Sequence, residues 1–327
     1  MRDGRLARGA SARHTRLVDA SLLLAGVAGV GGYGYLRPTE LFRHVVGARL
    51  RLAGMRSQRL QLTRARVRVW RGGRGDPVVF VHGFGTEASI NWNQQLPAAC
   101  RRFTVVAPDL PGFGASDRIG DEHTITFQVA CLHEMLTRLG YERVRLVGHS
   151  MGGWISLAFA AEHPELVARL VVVDAAGLRF DPDLSLQRVL LPETADDARD
   201  LIAANFRRPP RLPRFVLRDV VRTCRREFAN RAEILRQLVY GAEYLDDRLA
   251  SIAAPTLIVW GRSDPITPVA LAERLVAGIA DAELVVFDDC AHSPNLEQPA
   301  RFNRLLFDFL AGARATRAPR AALAASA

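Results

Sequence analysis

The sequence predicts an α/β fold, in which a mostly parallel, doubly wound sheet carries a helical insertion over one end. Short runs of Val, Leu and Ile alternate with longer segments of helical periodicity. The short runs are nearly continuous in apolar residues, which is typical of parallel strands covered on both faces. One long region, residues 177–252, interrupts the alternation with helical segments and no convincing strand.

The apolar runs and the segments between them define the predicted elements. Strands are predicted at residues 67–70, 78–83, 103–109, 143–150, 170–175, 256–261 and 284–289. Helices are predicted at residues 124–139, 151–163, 269–279 and 299–310. Strand and helix alternate in the order expected of a doubly wound sheet.

These elements divide the chain into a core, a cap and a tail. Residues 61–176 and 253–311 form the predicted core, and residues 177–252 form a helical cap over one end of the sheet. The cap carries nine Arg between residues 207 and 231, which fits either a solvated helix face or a surface that contacts anionic headgroups. The low-complexity tail, residues 312–327, is predicted to be disordered.

The N-terminal segment precedes the core and is strongly basic. After the basic residues 1–16, residues 17–36 have the length and apolar content of a membrane-spanning helix. A retained single-pass anchor is the favoured interpretation, and a cleaved signal peptide or a helix of the folded domain remain open. Arg on both sides leaves the side of the membrane undetermined.

Residues 37–60 are predicted as a basic amphipathic connector. One face of its helix collects apolar side chains, namely Leu41, Phe42, Val45, Val46 and Leu50. Such a helix either lies in the headgroup region of a membrane or packs on the domain itself, and the pattern does not choose between them.

Composition limits the classes of function. All 44 basic residues are Arg, so neither a lysine Schiff base nor a P-loop lysine is possible. Residues 1–71 carry 15 Arg and three acidic residues, which gives this segment a net charge of +12. The net charge of the whole chain is +10, so the remaining residues have a net charge of −2. This distribution favours a membrane surface near the N-terminus and argues against nucleic acid as a partner of the folded domain.

The four cysteines are Cys100, Cys131, Cys224 and Cys290, and they are widely spaced. No Cys-x-x-Cys pair or neighbouring histidine cluster accompanies them, so the pattern indicates neither a metal site nor a disulfide framework. We expect reduced, mostly buried thiols, and the sequence indicates no cofactor.

The segment GHSMG, from Gly148 to Gly152, carries the chemistry. It stands between an apolar strand and a helix, where a strained turn would expose the Ser150 hydroxyl at the carboxyl edge of the sheet. Larger side chains in place of the two glycines would collide with such a turn. The N-terminus of the following helix would favour developing negative charge nearby.

A serine hydroxyl needs a general base at neutral pH. Of the eight histidines, His292 follows the last predicted strand in a loop that should emerge at the same sheet edge as Ser150. The third member must hold the imidazole tautomer and balance its charge. Asp264 follows the penultimate strand and is the first choice, and Asp174 is the alternative.

An oxyanion formed at Ser150 needs two backbone N–H donors. Met151, directly after the serine, should supply one. The other should come from the HGFG segment, where Gly83 and Gly85 flank Phe84.

Five segments together resemble the α/β-hydrolases: VHGFG, PDLPGFGASD, VGHSMGGW, VWGRSDPITP and AHSPNLEQP. The similarity covers roughly residues 65–310 and implies a serine hydrolase that forms an acyl-enzyme on Ser150. The HGFG and Asn91-Trp92 segments, with the apolar N-terminus, are similar to membrane-anchored monoacylglycerol lipases and related bacterial lipases. The resemblance therefore implies a membrane-associated carboxylester hydrolase acting on lipid-like esters.

Two alternatives remain open. A C–C bond hydrolase or a cofactor-free perhydrolase would use the same triad on a different substrate. A hydrolase-fold protein that binds a lipid without turnover belongs to another class of function, and the complete set of Ser150, Asp264 and His292 argues against it. Oligomeric state is not indicated.

Overall fold

The computed structural model describes residues 32–120, 122–180, 185–240 and 243–312, which form one eight-stranded sheet covered by helices. The strands run in the spatial order β1-β2-β4-β3-β5-β6-β7-β8. They are β1 Arg56–Gln61, β2 Arg66–Gly72, β3 Pro77–Val81, β4 Thr104–Pro108, β5 Val144–His149, β6 Val167–Val173, β7 Thr256–Gly261 and β8 Ala282–Phe287. The predicted α/β class and mostly parallel sheet are confirmed.

Strand pairing is antiparallel at one edge and parallel elsewhere. The β1/β2 and β2/β4 pairs are antiparallel, and every other neighbouring pair is parallel. Parallel register aligns Val81 with Gly148 and His149 with Val173, so β3, β5 and β6 end at one level. Loops that follow these strands therefore meet at the same edge of the sheet.

The helices cover both faces of the sheet and its carboxyl edge. They are α1 Pro38–Leu52, α2 Ala88–Asn91, α3 Leu96–Ala99, α4 Ile125–Arg138, α5 Met151–Glu162, α6 Ser185–Leu190, α7 Ala195–Asn205, α8 Arg214–Arg226, α9 Phe228–Tyr240, α10 Ala270–Gly278, α11 Pro294–Glu297 and α12 Pro299–Leu310. Along β3, Val78 and Phe80 pack in one apolar layer, whereas Val79 and Val81 pack in the other. Such two-sided burial explains why the strands lack polar alternation.

The edge strand β1 was not predicted. Its sequence, RSQRLQ, has five exposed residues, and only Leu60 is half-buried. It pairs with β2 from Arg56 opposite Arg71 to Gln61 opposite Arg66. A strand that is held by main-chain hydrogen bonds at a solvated edge carries no hydrophobic period, so the sequence pattern missed it.

Helix α1 packs on the domain, which is one of the two arrangements left open for residues 37–60. Val46 and Leu50 are buried in the apolar layer that also contains Trp70. Phe42, Val45 and Leu52 from the same helix remain exposed. The helix is therefore part of the fold while it still presents an apolar side to solvent.

The predicted anchor lies mostly outside the described residues, which begin at residue 32, and so does most of the predicted tail, from residue 313. Residues 32–36 are helical, and Tyr35 and Leu36 are exposed. Within the described ranges, no helix has the length and hydropathy needed to cross a membrane. The anchor thus remains a prediction.

The cap consists of α6 to α9 and covers the carboxyl edge of the sheet. Leu190 of α6 and Leu238 of α9 line the cavity above the strand ends. The segment after α9 returns to the core, where Glu243 accepts hydrogen bonds from the backbone N–H groups of Ile125 and Thr126. Tyr244 stacks on Trp154 with the ring centroids 5.2 Å apart.

The burial of α1 predicts a contrast between two leucines on the same helix. Leu50 is fully buried, so Leu50→Ala should lower the free energy of unfolding by about 2–5 kcal/mol. Leu52 is 90% exposed, and Leu52→Ala should change it by less than about 0.5 kcal/mol. Urea denaturation in detergent solution measures both. Equal, small effects would mean that α1 does not pack on the domain.

Candidate active site

Ser150 occupies a strained turn between β5 and α5. Its backbone has φ 55° and ψ −120°, outside the conformations that L-residues prefer, at a cost on the order of 1–3 kcal/mol. Three hydrogen bonds hold this conformation. The Ser150 N–H donates to the Val173 carbonyl at 2.9 Å, and the Ser150 carbonyl accepts from the N–H groups of Trp154 and Ala176, both at 3.1 Å.

The glycines around Ser150 allow close backbone contacts. A Cβ atom on Gly148 would lie 2.2 Å from the Gly152 carbonyl oxygen. A Cβ atom on Gly152 would lie 2.4 Å from the carbonyl oxygens of both Val81 and His82. Because the opposing atoms belong to the main chain, they cannot move aside as a side chain would. Only glycine at both positions lets β3, β5 and α5 converge on the serine.

His292 and Asp264 form a buried pair after β8 and β7. His292 Nδ1 lies 2.7 Å from Asp264 Oδ2. The other Asp264 oxygen accepts hydrogen bonds from the N–H groups of Ile266 at 2.8 Å and Thr267 at 3.1 Å, and the Thr267 hydroxyl donates to Oδ2 at 2.6 Å. Since an ionised carboxylate only accepts hydrogen bonds, the imidazole proton resides on Nδ1 and leaves Nε2 as the basic nitrogen.

The environment of Asp264 favours its ionised form. Burial by itself raises the pKa of this carboxyl group. The charge and hydrogen bond of His292, together with the hydrogen bonds from Thr267, outweigh burial and lower the pKa below its usual value. Asp264 can therefore stay negative beside the imidazole and stabilise its protonated form.

His149 links the serine turn to the His292 loop. Its Nε2 lies 2.7 Å from the His292 carbonyl oxygen, and the two imidazole rings have centroids 5.0 Å apart. Burial lowers the pKa of His149 to about 3, with the nearby His292 as the next cause, so this ring is neutral. Its Nδ1 faces the side-chain oxygen of Asn91 at 3.1 Å. His149 directly precedes Ser150 in the sequence, but no sequence pattern predicts that it would link these two loops.

The HGFG loop after β3 brings Phe84 to the same place. His82 Nε2 accepts the Leu110 N–H at 2.9 Å, so Nδ1 carries the proton and donates to the Gly83 carbonyl at 2.7 Å. Burial lowers the pKa of His82 to about 4, which keeps it neutral. The Gly83 N–H donates to Asn91 Oδ1 at 2.8 Å, and Gly85 has φ 71°. These contacts fix the loop from both sides.

Phe84, Ser150 and Met151 line one cavity of about 240 Å³. Met151 is the first residue of α5, where a backbone N–H has no partner within the helix. The structure therefore gathers the predicted oxyanion residues and the serine around one space. Thr267, which contacts both Asp264 and His292, lies on the wall of the same cavity.

Glu297 also contacts the His292 loop, although no sequence motif points to it. One carboxylate oxygen accepts the Ala291 N–H at 2.6 Å, next to His292, and the other accepts the Arg207 N–H from the cap at 2.7 Å. Burial raises the pKa of Glu297 despite these hydrogen bonds. The contacts tie the His292 loop to the cap across a long sequence distance, which no local pattern could reveal.

Asp174, the alternative acid, lies beside the Asp264–His292 pair. It follows β6 with φ 45°, and its Oδ1 accepts the Gly261 N–H at 2.8 Å. Burial, followed by the charge of Asp264, raises its pKa well above the usual value. The surroundings therefore favour the neutral form of Asp174 and the ionised form of Asp264.

Asp174, Asp264 and His292 also offer metal-ligand atoms within 4.8 Å of one another. Both Asp264 oxygens already accept hydrogen bonds from Ile266, Thr267 and His292. A cation would have to displace these donors and the proton on Nδ1. The arrangement fits proton transfer better than metal binding.

Known proteins resemble this chain both in sequence and in overall structure. The profile of the family described as alpha/beta hydrolase fold matches residues 76–299. The chain is 35% identical over 253 residues to 2-hydroxymuconate semialdehyde hydrolase of Pseudomonas sp. (strain CF600), covering 74% of this chain and 89% of that protein. It is 27% identical over 267 residues to monoacylglycerol lipase abhd6-A of Xenopus laevis, covering 74% and 79%. It also resembles the solved structure of a membrane phospholipase A, a bacterial virulence factor, with TM-score 0.79, 29% identity and coverage of 91% and 98%.

The raised pKa of Asp174 predicts a pH-dependent effect of Asp174→Asn. The wild-type carboxyl stabilises the fold fully below its unfolded pKa of about 3.9, and this contribution is lost as pH rises toward the raised folded pKa. Asn is neutral at every pH and keeps an oxygen for the Gly261 N–H. The stability of Asp174→Asn relative to wild type should therefore increase as pH rises from about 4.

Urea denaturation between about pH 4 and pH 8 measures this difference. Asp308→Asn, at an exposed position of α12, controls for the loss of a surface charge. A difference between Asp174→Asn and wild type that stays constant with pH would contradict a raised pKa of Asp174.

Proposed function

Since the chain belongs to the alpha/beta hydrolase fold family, we propose that it is a serine hydrolase that cleaves carboxylic esters of lipid-like substrates. The observation that carries this proposal is the hydrogen-bonded Asp264–His292 pair at the sheet edge where Ser150 lines an apolar cavity. Membership in the family implies a hydrolase, and the ester specificity is our inference from the site.

In the proposed mechanism, His292 Nε2 removes the Ser150 hydroxyl proton as the serine oxygen attacks the ester carbonyl carbon. Asp264 stabilises the resulting imidazolium and keeps its Nδ1 proton in place. Collapse of the tetrahedral intermediate breaks the bond to the alcohol, which takes the proton from His292. A water molecule then attacks the acyl-enzyme by the same path and releases the acid.

The negative charge on the carbonyl oxygen is assigned to the N–H groups of Phe84 and Met151. The Phe84 loop is held by His82 and Asn91, and the Met151 N–H stands at the N-terminus of α5. Donors that are fixed before the reaction need not reorganise when charge develops. In serine hydrolases, the loss of one such donor costs about 2.7–4 kcal/mol.

The lining of the cavity suits an apolar acyl group. Its wall is formed mainly by Trp154, Leu178, Leu190, Leu235 and Leu238. Among the described residues that line it, none carries a charged side chain. An acyl chain can be buried there without desolvating a charge, whereas a carboxylate-bearing substrate would lose hydration without compensation.

A second candidate is hydrolysis of a C–C bond. The higher identity to 2-hydroxymuconate semialdehyde hydrolase, 35% against 27% for the monoacylglycerol lipase, favours it. The same serine, histidine and aspartate would serve such a reaction. The uncharged cavity favours the ester, because the substrates named for the relatives with C–C activity include dienoates, which are anions.

We also propose that residues 17–36 attach the protein to a membrane as a single-pass helix preceded by the basic residues 1–16. The length and apolar content of this segment support the proposal. The similarity to a membrane phospholipase A over 91% of this chain agrees with it. Attachment would keep the active site close to lipid esters.

The catalytic proposal predicts that a fluorophosphonate probe labels the wild type but not Ser150→Ala. Asp264→Asn should lower kcat on a medium-chain p-nitrophenyl ester on the order of 10⁴-fold, because the imidazole loses its orienting anion. Steady-state kinetics should also show turnover of a monoacylglycerol and none of 2-hydroxymuconate semialdehyde. Turnover of the semialdehyde alone would establish the C–C alternative, and labelling of Ser150→Ala would refute the assigned nucleophile.

Membrane attachment predicts different outcomes for two truncations. Removing residues 1–31 should move the protein from the membrane to the soluble fraction with esterase activity retained, because α1 and the sheet stay intact. Removing residues 1–60 also deletes α1 and all of β1 except its last residue, exposes the buried Trp70 and should abolish folding. Fractionation after a high-salt wash, which removes electrostatic binding by the basic surface, and probe labelling measure both. If the protein that lacks residues 1–31 still pellets with membranes after this wash, the anchor is refuted.

A further inference from the structure

Four arginines form a stripe along one face of the cap helix α8. Arg214, Arg218, Arg222 and Arg225 follow one another at spacings of four, four and three residues, and all four are exposed. This spacing places them on the same side of a helix. Together with Arg226, they line a surface groove of about 630 Å³, which we call the arginine groove. Glu193 also lines this groove, so five arginines face one acidic residue there.

Positive charge in the arginine groove is only partly balanced. Arg222 pairs with Asp219 at 3.1 Å, and Arg226 pairs with Glu40 at 3.2 Å. Within the described part of the chain, no ion pair is formed by Arg214 or Arg218. Like charges four residues apart on a helix repel each other, so an anionic partner would relieve a cost that the protein now carries.

Exposed apolar side chains border the arginine groove. Tyr35 and Leu36 are 63% and 61% exposed, and Leu212 precedes α8 at 37% exposure. The Tyr35 ring lies 4.8 Å from the ring of Phe215 in α8, and Arg222 donates a hydrogen bond to the Leu36 carbonyl at 2.8 Å. Arginines beside exposed aromatic and aliphatic side chains are typical of surfaces that lie at a lipid headgroup layer.

We propose that the arginine groove and its apolar border dock the cap on an anionic phospholipid bilayer, with lipid phosphates in the groove and Tyr35, Leu36 and Leu212 in the headgroup layer. Continuity along the chain identifies this occupant. Residues 17–36 are the proposed membrane-spanning segment, and the last of them, Leu36, is the residue that Arg222 contacts. The inference rests on the proposed attachment and is independent of the proposed catalysis.

Docking would have a consequence for substrate entry. Helix α9 follows α8 directly and supplies Leu235 and Leu238 to the cavity at Ser150. A bilayer held against α8 would therefore lie next to the helix that roofs the site. The lipid substrate could pass from the headgroup layer to the cavity without crossing bulk water.

The test uses the full chain, reconstituted in vesicles of phosphatidylcholine alone or mixed with phosphatidylglycerol. Leu212→Cys carries an environment-sensitive fluorophore, and the chain without this substitution gives the background from the native cysteines, of which Cys131, Cys224 and Cys290 are buried. We expect a blue-shifted emission on the anionic vesicles, with quenching by a headgroup-labelled lipid, and neither on phosphatidylcholine. High salt should reverse the shift.

Arg214→Gln with Arg218→Gln should lower the ratio of docked to undocked cap about 30-fold on anionic vesicles, which converts to ~2 kcal/mol, at ~1 kcal/mol per arginine near such a surface. The matched control is Arg101→Gln with Arg143→Gln. Both are exposed and precede β4 and β5, at the sheet edge opposite the cap, so the control should leave the emission unchanged.

An equal emission on both vesicle types, or an equal loss in the control, would overturn the proposal. So would a groove variant that keeps its vesicle response but loses binding to a short RNA, since the groove would then serve nucleic acid. Failure of the full chain to insert in either vesicle would instead refute the proposed attachment. Fluorophosphonate labelling in the same vesicles reports on catalysis separately.

Discussion

The convergence of β3, β5 and α5 on Ser150 is the constraint on which the rest of the site depends. The serine is strained, and its conformation persists because hydrogen bonds to Val173, Trp154 and Ala176 leave the backbone no alternative. The space needed for this turn exists only because Gly148 and Gly152 lack side chains where main-chain oxygens come within 2.2–2.4 Å of a possible Cβ atom. The core must therefore supply enough packing energy to hold an unfavourable residue, and the nearly continuous apolar strands on either side meet that demand.

Buried polar contacts connect the Ser150 turn to the neighbouring loops of the site. The His149 Nε2–H donates to the His292 carbonyl and joins the serine turn to the His292 loop. The Gly83 N–H donates to Asn91 Oδ1, which lies beside His149 Nδ1, so the Phe84 loop is held next to both. The histidines in this network, His82 and His149, are kept neutral by burial. A neutral imidazole orients its neighbours without adding a charge that would oppose protonation of His292. Catalytic groups need to be held within about 0.5 Å of their working positions, and such contacts can supply that precision where loops alone cannot.

Local sequence patterns predict the strands and the serine turn, because these features depend on burial and backbone geometry within one segment. Apolar runs located strands β2 to β8, and glycine spacing located the turn at Ser150, because both follow from burial and backbone geometry. Strand β1 escaped because its residues face solvent on both sides and its order comes from pairing with β2. The structural roles of His82, His149 and Glu297 were not predicted for another reason. Each acts through a partner that the fold brings near, such as the Leu110 N–H for His82 or the Arg207 N–H for Glu297, and no pattern within one segment encodes those distances.

The choice between Asp174 and Asp264 shows how the same residue type acquires opposite roles from its surroundings. Both carboxyl groups are buried, and both follow neighbouring strands of the sheet. Asp264 is met by the N–H groups of Ile266 and Thr267, the Thr267 hydroxyl and the imidazole, so its anion is stabilised even without water. Asp174 accepts the Gly261 N–H, but burial and then the negative charge of Asp264 raise its pKa and favour its neutral form. The donors of Ile266 and Thr267 come from the short turn after Asp264, which begins with Pro265, and the imidazole comes from the loop after β8. The pKa of Asp264 is thus lowered by the charge and hydrogen bond of His292 first and by the donors of Thr267 after it. The fold selects between the two aspartates by placing these partners around Asp264 and not around Asp174.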